Sequence, residues 1–179
     1  MKMKTICTHA NLHNGREIAD PIAILYANEA LSMLATLYDS ACKRDTSTLG
    51  DLAEDTWVDL PEGCINVTRV KVEGYESLTW QASQGQIKFP QSAASNVTME
   101  YLRKSNDIST IEEVPEISEL YHTVLSLFIA SRERSRLFGD QESESQRLMG
   151  EFHAEAAAAD LRIKNQKNGP KYIGKRNFV

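Results

Sequence analysis

Residue types that bind metals lie close together near the start of the sequence, at Cys7, His9 and His13. A structural zinc site needs four protein ligands, and a catalytic site needs three plus a water molecule. This group supplies three at most, and no C-x-x-C or H-E-x-x-H pattern accompanies it. We therefore predict no metal and no cofactor, and keep a zinc-dependent enzyme built on these three residues as an alternative.

The other candidates for catalysis are isolated in the sequence. His122 and His153 each fall within a predicted helix and have no nucleophile nearby in the sequence, and the Glu112-Glu113 pair is purely local. The phosphate-binding pattern G-x-x-x-x-G-K-[ST], the dinucleotide pattern G-x-G-x-x-G and the nucleophile pattern G-x-S-x-G do not occur. We predict that the chain is not an enzyme.

Charge is unevenly distributed along the 179 residues. The net charge is −5, yet residues 161–179 carry six basic residues and no carboxylate side chain, which leaves −11 for residues 1–160. Such asymmetry is typical of a tail with its own partner. The composition, 41% hydrophobic and 25% charged, is that of a globular protein, and no apolar run is long enough to span a membrane. With no apolar signal segment, synthesis and assembly in a cytoplasm are expected.

Apolar periodicity predicts the elements that position these residues. A long helix over 20–42 begins at Asp20-Pro21, a second begins at Pro115, and a third carries Leu148, Phe152, Ala156 and Ile163 at helical spacing. Residues 1–19 show no clear period and are predicted to form a loop or arm, and 44–63 hold at most a short helical turn. Between 64 and 103 the period becomes two, with a bulge near Thr68-Arg69 and a hairpin at Ser83-Gln84-Gly85.

The predicted fold class is mainly α. It is a bundle of about three long helices with a small antiparallel sheet inserted at about 64–103. Residues 1–168 form one domain, and 169–179 form an extended C-terminal tail, because Gly169-Pro170 ends the last helix.

The tail has two candidate partners. Its positive charges, with Tyr172 and Phe178 among them, resemble a strip that binds single-stranded nucleic acid, and the "RERSR" stretch at 132–136 adds three more. Alternatively, the tail docks in an acidic groove of another protein. The acidic body opposes close approach to nucleic acid, so docking is favoured, and nucleic-acid binding stays as the second hypothesis.

The order of elements resembles the head–tail connector adaptor proteins of tailed bacteriophages. The likeness covers residues 16–179 and is carried by "DPIAILYANEALSMLATLY", "WVDLPEGCINVTRVKVEGYESL" and "VPEISELYHTVLSLFIASRERSRLF". It implies a structural virion protein at the head–tail interface, assembled in the host cytoplasm. Such adaptors form a ring, usually of twelve copies, which binds the portal protein, extends the channel for genomic DNA and presents a platform to the next neck or tail protein.

In that family the C-terminal extension commonly reaches into the portal ring. Carried over to this sequence, the resemblance implies a portal-docking segment that consists of Gly169, Pro170, Lys171, Tyr172, Ile173, Gly174, Lys175, Arg176, Asn177, Phe178 and Val179. The charge of the body is compatible with this, and we hypothesise that its Asp and Glu side chains line the DNA channel, because a negative bore lets DNA slide. The first 15 residues have no part in the resemblance.

Overall fold

The computed structural model describes residues 1–76, 80–83, 85–89 and 94–167. Within these residues the helices are α1 (Met3–Asn14), α2 (Asp20–Leu37), α3 (His122–Phe138) and α4 (Ser143–Lys167), with 3₁₀ turns at Asp39–Ala41 and Glu119–Tyr121. The strands are β1 (Lys43–Leu52), β2 (Val58–Asp59), β3 (Cys64–Val72), β4 (Tyr75–Glu76), β5 (Gln81–Ser83), β6 (Gln86–Lys88) and β7 (Ala94–Arg103).

The fold class predicted from the sequence is wrong. Helices hold 49% of the described residues and strands 25%, the strands form two antiparallel sheets, and the chain is an α+β protein rather than a mainly α bundle of three long helices. Two elements that the sequence did not indicate, α1 and β1, account for most of the difference.

Helix α1 replaces the predicted N-terminal loop. Its buried side chains include Met3, Ile6, Cys7 and Ala10, which recur at helical spacing along one narrow face. The other positions are mostly polar, so the period is weak in the sequence. Gly15 ends the helix in the left-handed conformation at φ 70°, which glycine adopts without a steric penalty.

Helix α2 begins at the predicted residue but ends five residues early. Tyr38 is extended, and the chain then makes one 3₁₀ turn and enters β1 at Lys43. Tyr38 and Cys42 follow the four-residue apolar spacing of α2, but they lie on either side of the 3₁₀ turn after the helix. Helix α3 likewise begins at His122, seven residues after the predicted start at Pro115.

Helix α3 is the centre of the helical layer. Every residue from Val124 to Ser131 is buried, because α1, α2 and α4 all pack against it. Arg16 after α1 reaches Glu133 late in α3, so α1 and α3 run parallel. Tyr121, before α3, instead meets Ser40, after α2, so α2 runs antiparallel to α3. Helix α4 is also antiparallel, since Ser145 in its first turn bonds to Ser131.

Strand β1 lies where the sequence indicated at most a helical turn. It is an edge strand of a sheet with the order β1-β7-β3-β4 and pairs with β7 from Lys43↔Arg103 onward. Its alternation is hidden because its half-buried positions include the polar residues Asp45 and Ser47. Threonines 46 and 48 suit a strand, yet a polar alternating run looks like a loop in the sequence.

The inserted sheet itself was predicted in part. The bulge expected near Thr68-Arg69 is confirmed by a register shift between Val67 and Arg69 in the β3–β7 pair. The strands of the expected hairpin are confirmed by the pairing of β5 with β6, while Gln84 lies outside the described residues. A second sheet, β2-β6-β5, packs on the first around a separate apolar cluster that contains Val70, Ile87 and Met99.

Replacing Phe128 with Asp should abolish the fold of the helical layer. The side chain is buried against Phe152, with ring centroids 5.1 Å apart, and an unpaired buried carboxylate costs several kcal/mol. Phe138→Asp, at an exposed position on the same helix, is the matched control and should stay folded. The check is urea denaturation followed by circular dichroism, and a Phe128→Asp variant as stable as the control would contradict this core.

Candidate binding site at the junction of the last helix and the sheet

The predicted docking segment, Gly169–Val179, lies outside the described residues. The described chain ends at Lys167, the last residue of α4, so the candidate site that can be characterised is the surface from which this segment departs. Helix α4 is packed against the fold as far as Ile163. The predicted stripe Leu148, Phe152, Ala156 and Ile163 is confirmed as its buried face.

A hydrogen bond from Ser40 to Asp160 joins the end of α4 to the rest of the fold, and two neighbouring contacts, one to Tyr121 and one to Lys164, extend it. The Ser40 hydroxyl lies 2.6 Å from Tyr121 Oη and donates to Asp160 Oδ1 at 2.6 Å. The other carboxylate oxygen of Asp160 lies 2.7 Å from Lys164 Nζ. We call Ser40, Tyr121, Asp160 and Lys164 the junction clamp. It joins the α2–β1 connection, the start of α3 and the last two turns of α4.

The protonation states in the junction clamp favour a static role. Burial raises the pKa of Tyr121 to about 12, with the nearby Asp160 charge acting in the same direction and the Ser40 hydrogen bond opposing both. Burial also tends to raise the pKa of Asp160, but the hydrogen bonds from Lys164 and Ser40 outweigh it and the pKa lies below its usual value of 3.8. At neutral pH Tyr121 stays protonated and Asp160 stays charged. A carboxylate with so low a pKa is a poor general base for activating Ser40.

A cavity of about 240 Å³ opens beside the junction clamp. Its lining includes the cationic side chains Arg44, Lys164 and Lys167, the hydroxyl of Thr68 and one carboxylate, Asp39. Among the described residues, Arg44 and Lys167 have no ion-pair partner. The surface around the start of the C-terminal segment is therefore locally positive on an acidic protein and can receive an anionic group of a partner.

The metal-type residues of α1 do not converge on a site. Cys7 is buried in the helical core, where desolvation raises its pKa to about 11, while His9 is half-buried and His13 is exposed. No group of three or more His, Cys, Asp or Glu side chains that could hold a metal ion occurs among the described residues.

Neither of the two other histidines is hydrogen-bonded to a Ser, Thr or Cys side chain in the described residues. His122 is buried at the start of α3, where desolvation lowers its pKa. His153 is exposed on α4, with its ring 5.1 Å from that of Phe152.

In the part of the chain that the structure covers, no helix is long and apolar enough to span a membrane.

The basic stretch 132–136 is neutralised by neighbouring carboxylates. Arg132 Nε lies 3.2 Å from Glu29 and Arg134 Nη2 lies 2.7 Å from Glu142. Arg136 binds the buried Glu133 through two nitrogens, at 2.7 and 2.8 Å. Because each of these arginines is paired with a carboxylate, they add little net positive charge to a surface for nucleic acid.

Sequence reasoning missed the junction clamp because its members come from three separate elements. Neither Ser40 nor Tyr121 stands out by type or spacing. One signal was available: Asp160 directly follows a run of alanines on the buried side of α4, and a buried carboxylate requires a partner.

The chain matches no protein-family model, and comparison with curated proteins finds no match. The resemblance to phage connector proteins therefore stays a prediction from the sequence pattern.

Replacing Ser40 with Ala should destabilise the protein by about 1–3 kcal/mol, because it leaves the buried Tyr121 hydroxyl and the Asp160 carboxylate without a shared partner. Thr36→Ala is the control: its hydroxyl bonds only to Ser32 O within α2, and the change should be within about 0.5 kcal/mol. Urea denaturation of both variants checks this. Equal stability of the two would show that the junction clamp contributes nothing.

The contribution of Asp160 should depend on pH in a defined direction. Its pKa is lowered in the folded state, so its charged form stabilises the fold above the unfolded pKa near 3.8, and this is lost as the pH falls through the folded value. The difference in unfolding free energy between the unmodified chain and Asp160→Asn should be constant near neutral pH and shrink below about pH 4. A difference that is the same at every pH would contradict a charged Asp160 in the junction clamp.

Proposed function

We propose that the chain is a head–tail connector protein of a tailed phage, a structural component of the virion between the portal and the next neck or tail protein. The observation that carries the proposal is the junction at the end of α4. The junction clamp fixes the helix to the fold, and the chain leaves it beside Arg44 and Lys167 as a segment with further positive charge and no carboxylate side chains.

This arrangement suits attachment to another protein. A segment that continues from a fixed helix end has a defined starting point, which reduces the conformational freedom lost when it binds. The sequence of 169–179 combines Lys171, Lys175 and Arg176 with Tyr172 and Phe178. Cations with aromatic anchors fit a groove that is acidic at its rim and apolar in its pockets, and the portal protein is the partner that the family resemblance supplies.

The acidic body suits a channel through which DNA passes. With −11 on residues 1–160, a ring of copies, twelve by the family resemblance, would present a negative surface that does not retain the DNA backbone. This part of the proposal requires Asp and Glu side chains to line the bore. A bore that is neutral or basic when the assembled ring is imaged would refute it.

The second candidate function is nucleic-acid binding by the C-terminal segment. Arg44, Arg162 and Lys167 have no ion-pair partner in the described chain, and the sequence that follows, 169–179, adds three more cations. The neutralised arginines of α3 weigh against a wider basic face. We therefore rank protein docking first.

Deleting residues 169–179 should leave the fold intact and abolish binding to isolated portal rings, measured by sedimentation. A second, full-length variant with Lys171, Lys175 and Arg176 replaced by Gln tests the part played by charge. If these cations contribute to docking, this variant should also bind more weakly. Truncated protein that binds portal rings as well as the full chain would contradict docking by this segment.

The same proteins distinguish the two functions. Binding of the full chain to duplex or single-stranded DNA, with an affinity that falls steeply with salt, would favour the nucleic-acid hypothesis, because each phosphate contact releases a counterion. Portal binding without measurable DNA binding would favour the connector. Truncated protein that unfolds would show that the segment belongs to the fold.

A further inference from the structure

The exposed apolar side chains of the helices lie only near helix ends. In the described helices, the large apolar side chains with the greatest exposure are Leu12 (77%), Leu25 (56%), Leu37 (50%), Phe138 (62%) and Leu161 (60%). Each lies within about two turns of the beginning or end of its helix. Single exposed apolar side chains are common on a monomer, so these residues matter only together with the charges that lie at the same ends.

The helix directions assign these side chains to the two ends of the helical layer. Leu12, Leu25 and Phe138 lie at the end where α1 connects to α2 and α3 connects to α4, which we call the loop end. Leu37 and Leu161 lie at the opposite end, beside the junction clamp, which we call the junction end. Helix α2 has 18 residues, so the two ends are about 27 Å apart and cannot meet within one molecule.

The two ends carry opposite charges that no ion pair of the described residues satisfies. Glu17 and Asp20 lie at the loop end, beside a cavity of about 270 Å³. Arg44, Arg162 and Lys167 lie at the junction end, where Asp39 offsets one of them. The arginines near the loop end are already engaged, Arg16 and Arg136 with Glu133.

We propose that the loop end of one copy binds the junction end of the next. The occupant is a second copy of this chain, because the unpaired carboxylates of the loop end complement the unpaired cations of the junction end, and both ends carry exposed apolar side chains. DNA would fit the cations of the junction end but neither Leu37 and Leu161 nor the acidic loop end. Such a head-to-tail contact repeats from copy to copy and closes into a ring when the rotation between neighbours allows it. The inference rests on the proposed connector function in naming the surfaces that would meet in its ring.

A charge exchange between the two ends tests the contact. The first variant carries Glu17→Lys and Asp20→Lys at the loop end, and the second carries Arg44→Glu and Lys167→Glu at the junction end. Lys164 is left unchanged because it holds Asp160. A control variant, Glu54→Lys with Glu73→Lys, makes the same charge change as the first variant at exposed positions in turns between strands. Circular dichroism checks that all three fold.

Sedimentation velocity over a concentration series then gives the self-association of each protein. The unmodified chain and the control should associate equally, and each charge variant alone should need at least about tenfold higher concentration, because like charges then face each other. An equimolar mixture of the two charge variants should associate again, since their ends are complementary. This restoration cannot arise from a folding defect.

Three results would overturn the inference. They are a chain that stays monomeric up to about 1 mM, charge variants that associate like the unmodified chain, and a mixture that stays dissociated. Portal binding of the same proteins separates this inference from the proposed function. Restored association without portal binding would retain the end-to-end contact and reject the connector, whereas portal binding that is indifferent to these charges would retain the connector with other contact surfaces.

Discussion

The hydrogen bonds of Ser40 to Tyr121 and Asp160 are the interaction on which the arrangement of the chain depends. They join the point where the chain leaves the helical layer for β1, the start of α3 and the end of α4. Without them, the buried Tyr121 hydroxyl would lack a partner and Asp160 would keep only Lys164, at the place where the helices meet the sheet. The same bonds fix the position from which the C-terminal segment departs, so the local chemistry of three side chains connects the fold with the proposed function.

The buried apolar side chains of the described residues form two clusters. The helical cluster is centred on α3, and the second cluster lies between the two sheets. Opposite charges and exposed apolar side chains lie at the two ends of the helices. The sheets have their own apolar cluster, and β1, which pairs with β7, is an edge strand. A connector needs surfaces for several partners at once, and this division allows the helical ends, the sheets and the C-terminal segment to meet different ones.

Strong apolar periods were readable in the sequence, and weak ones were not. The stripe Leu148, Phe152, Ala156 and Ile163 was predicted because its apolar side chains repeat with the helical period, and the start of α2 because Asp20-Pro21 is a typical helix N-terminus. The bulge after Val67 was predicted because the apolar side chains change parity between Val67 and Val70. Helix α1 and strand β1 were missed because their partly polar faces hide that period. The end of α2 was missed because tertiary contacts at Tyr38, and not local preference, stop the helix. The junction clamp depends on residues about 40 to 120 positions apart, which no local pattern reveals.

The central claim is that this chain joins a portal to a tail, and cryo-electron microscopy tests it most directly. The chain would be mixed with DNA-filled capsids that lack their tails. The account predicts a ring of density below the portal, with C-terminal segments running into the portal ring and acidic side chains around the bore. Capsids that remain bare under conditions where the chain is folded would contradict it.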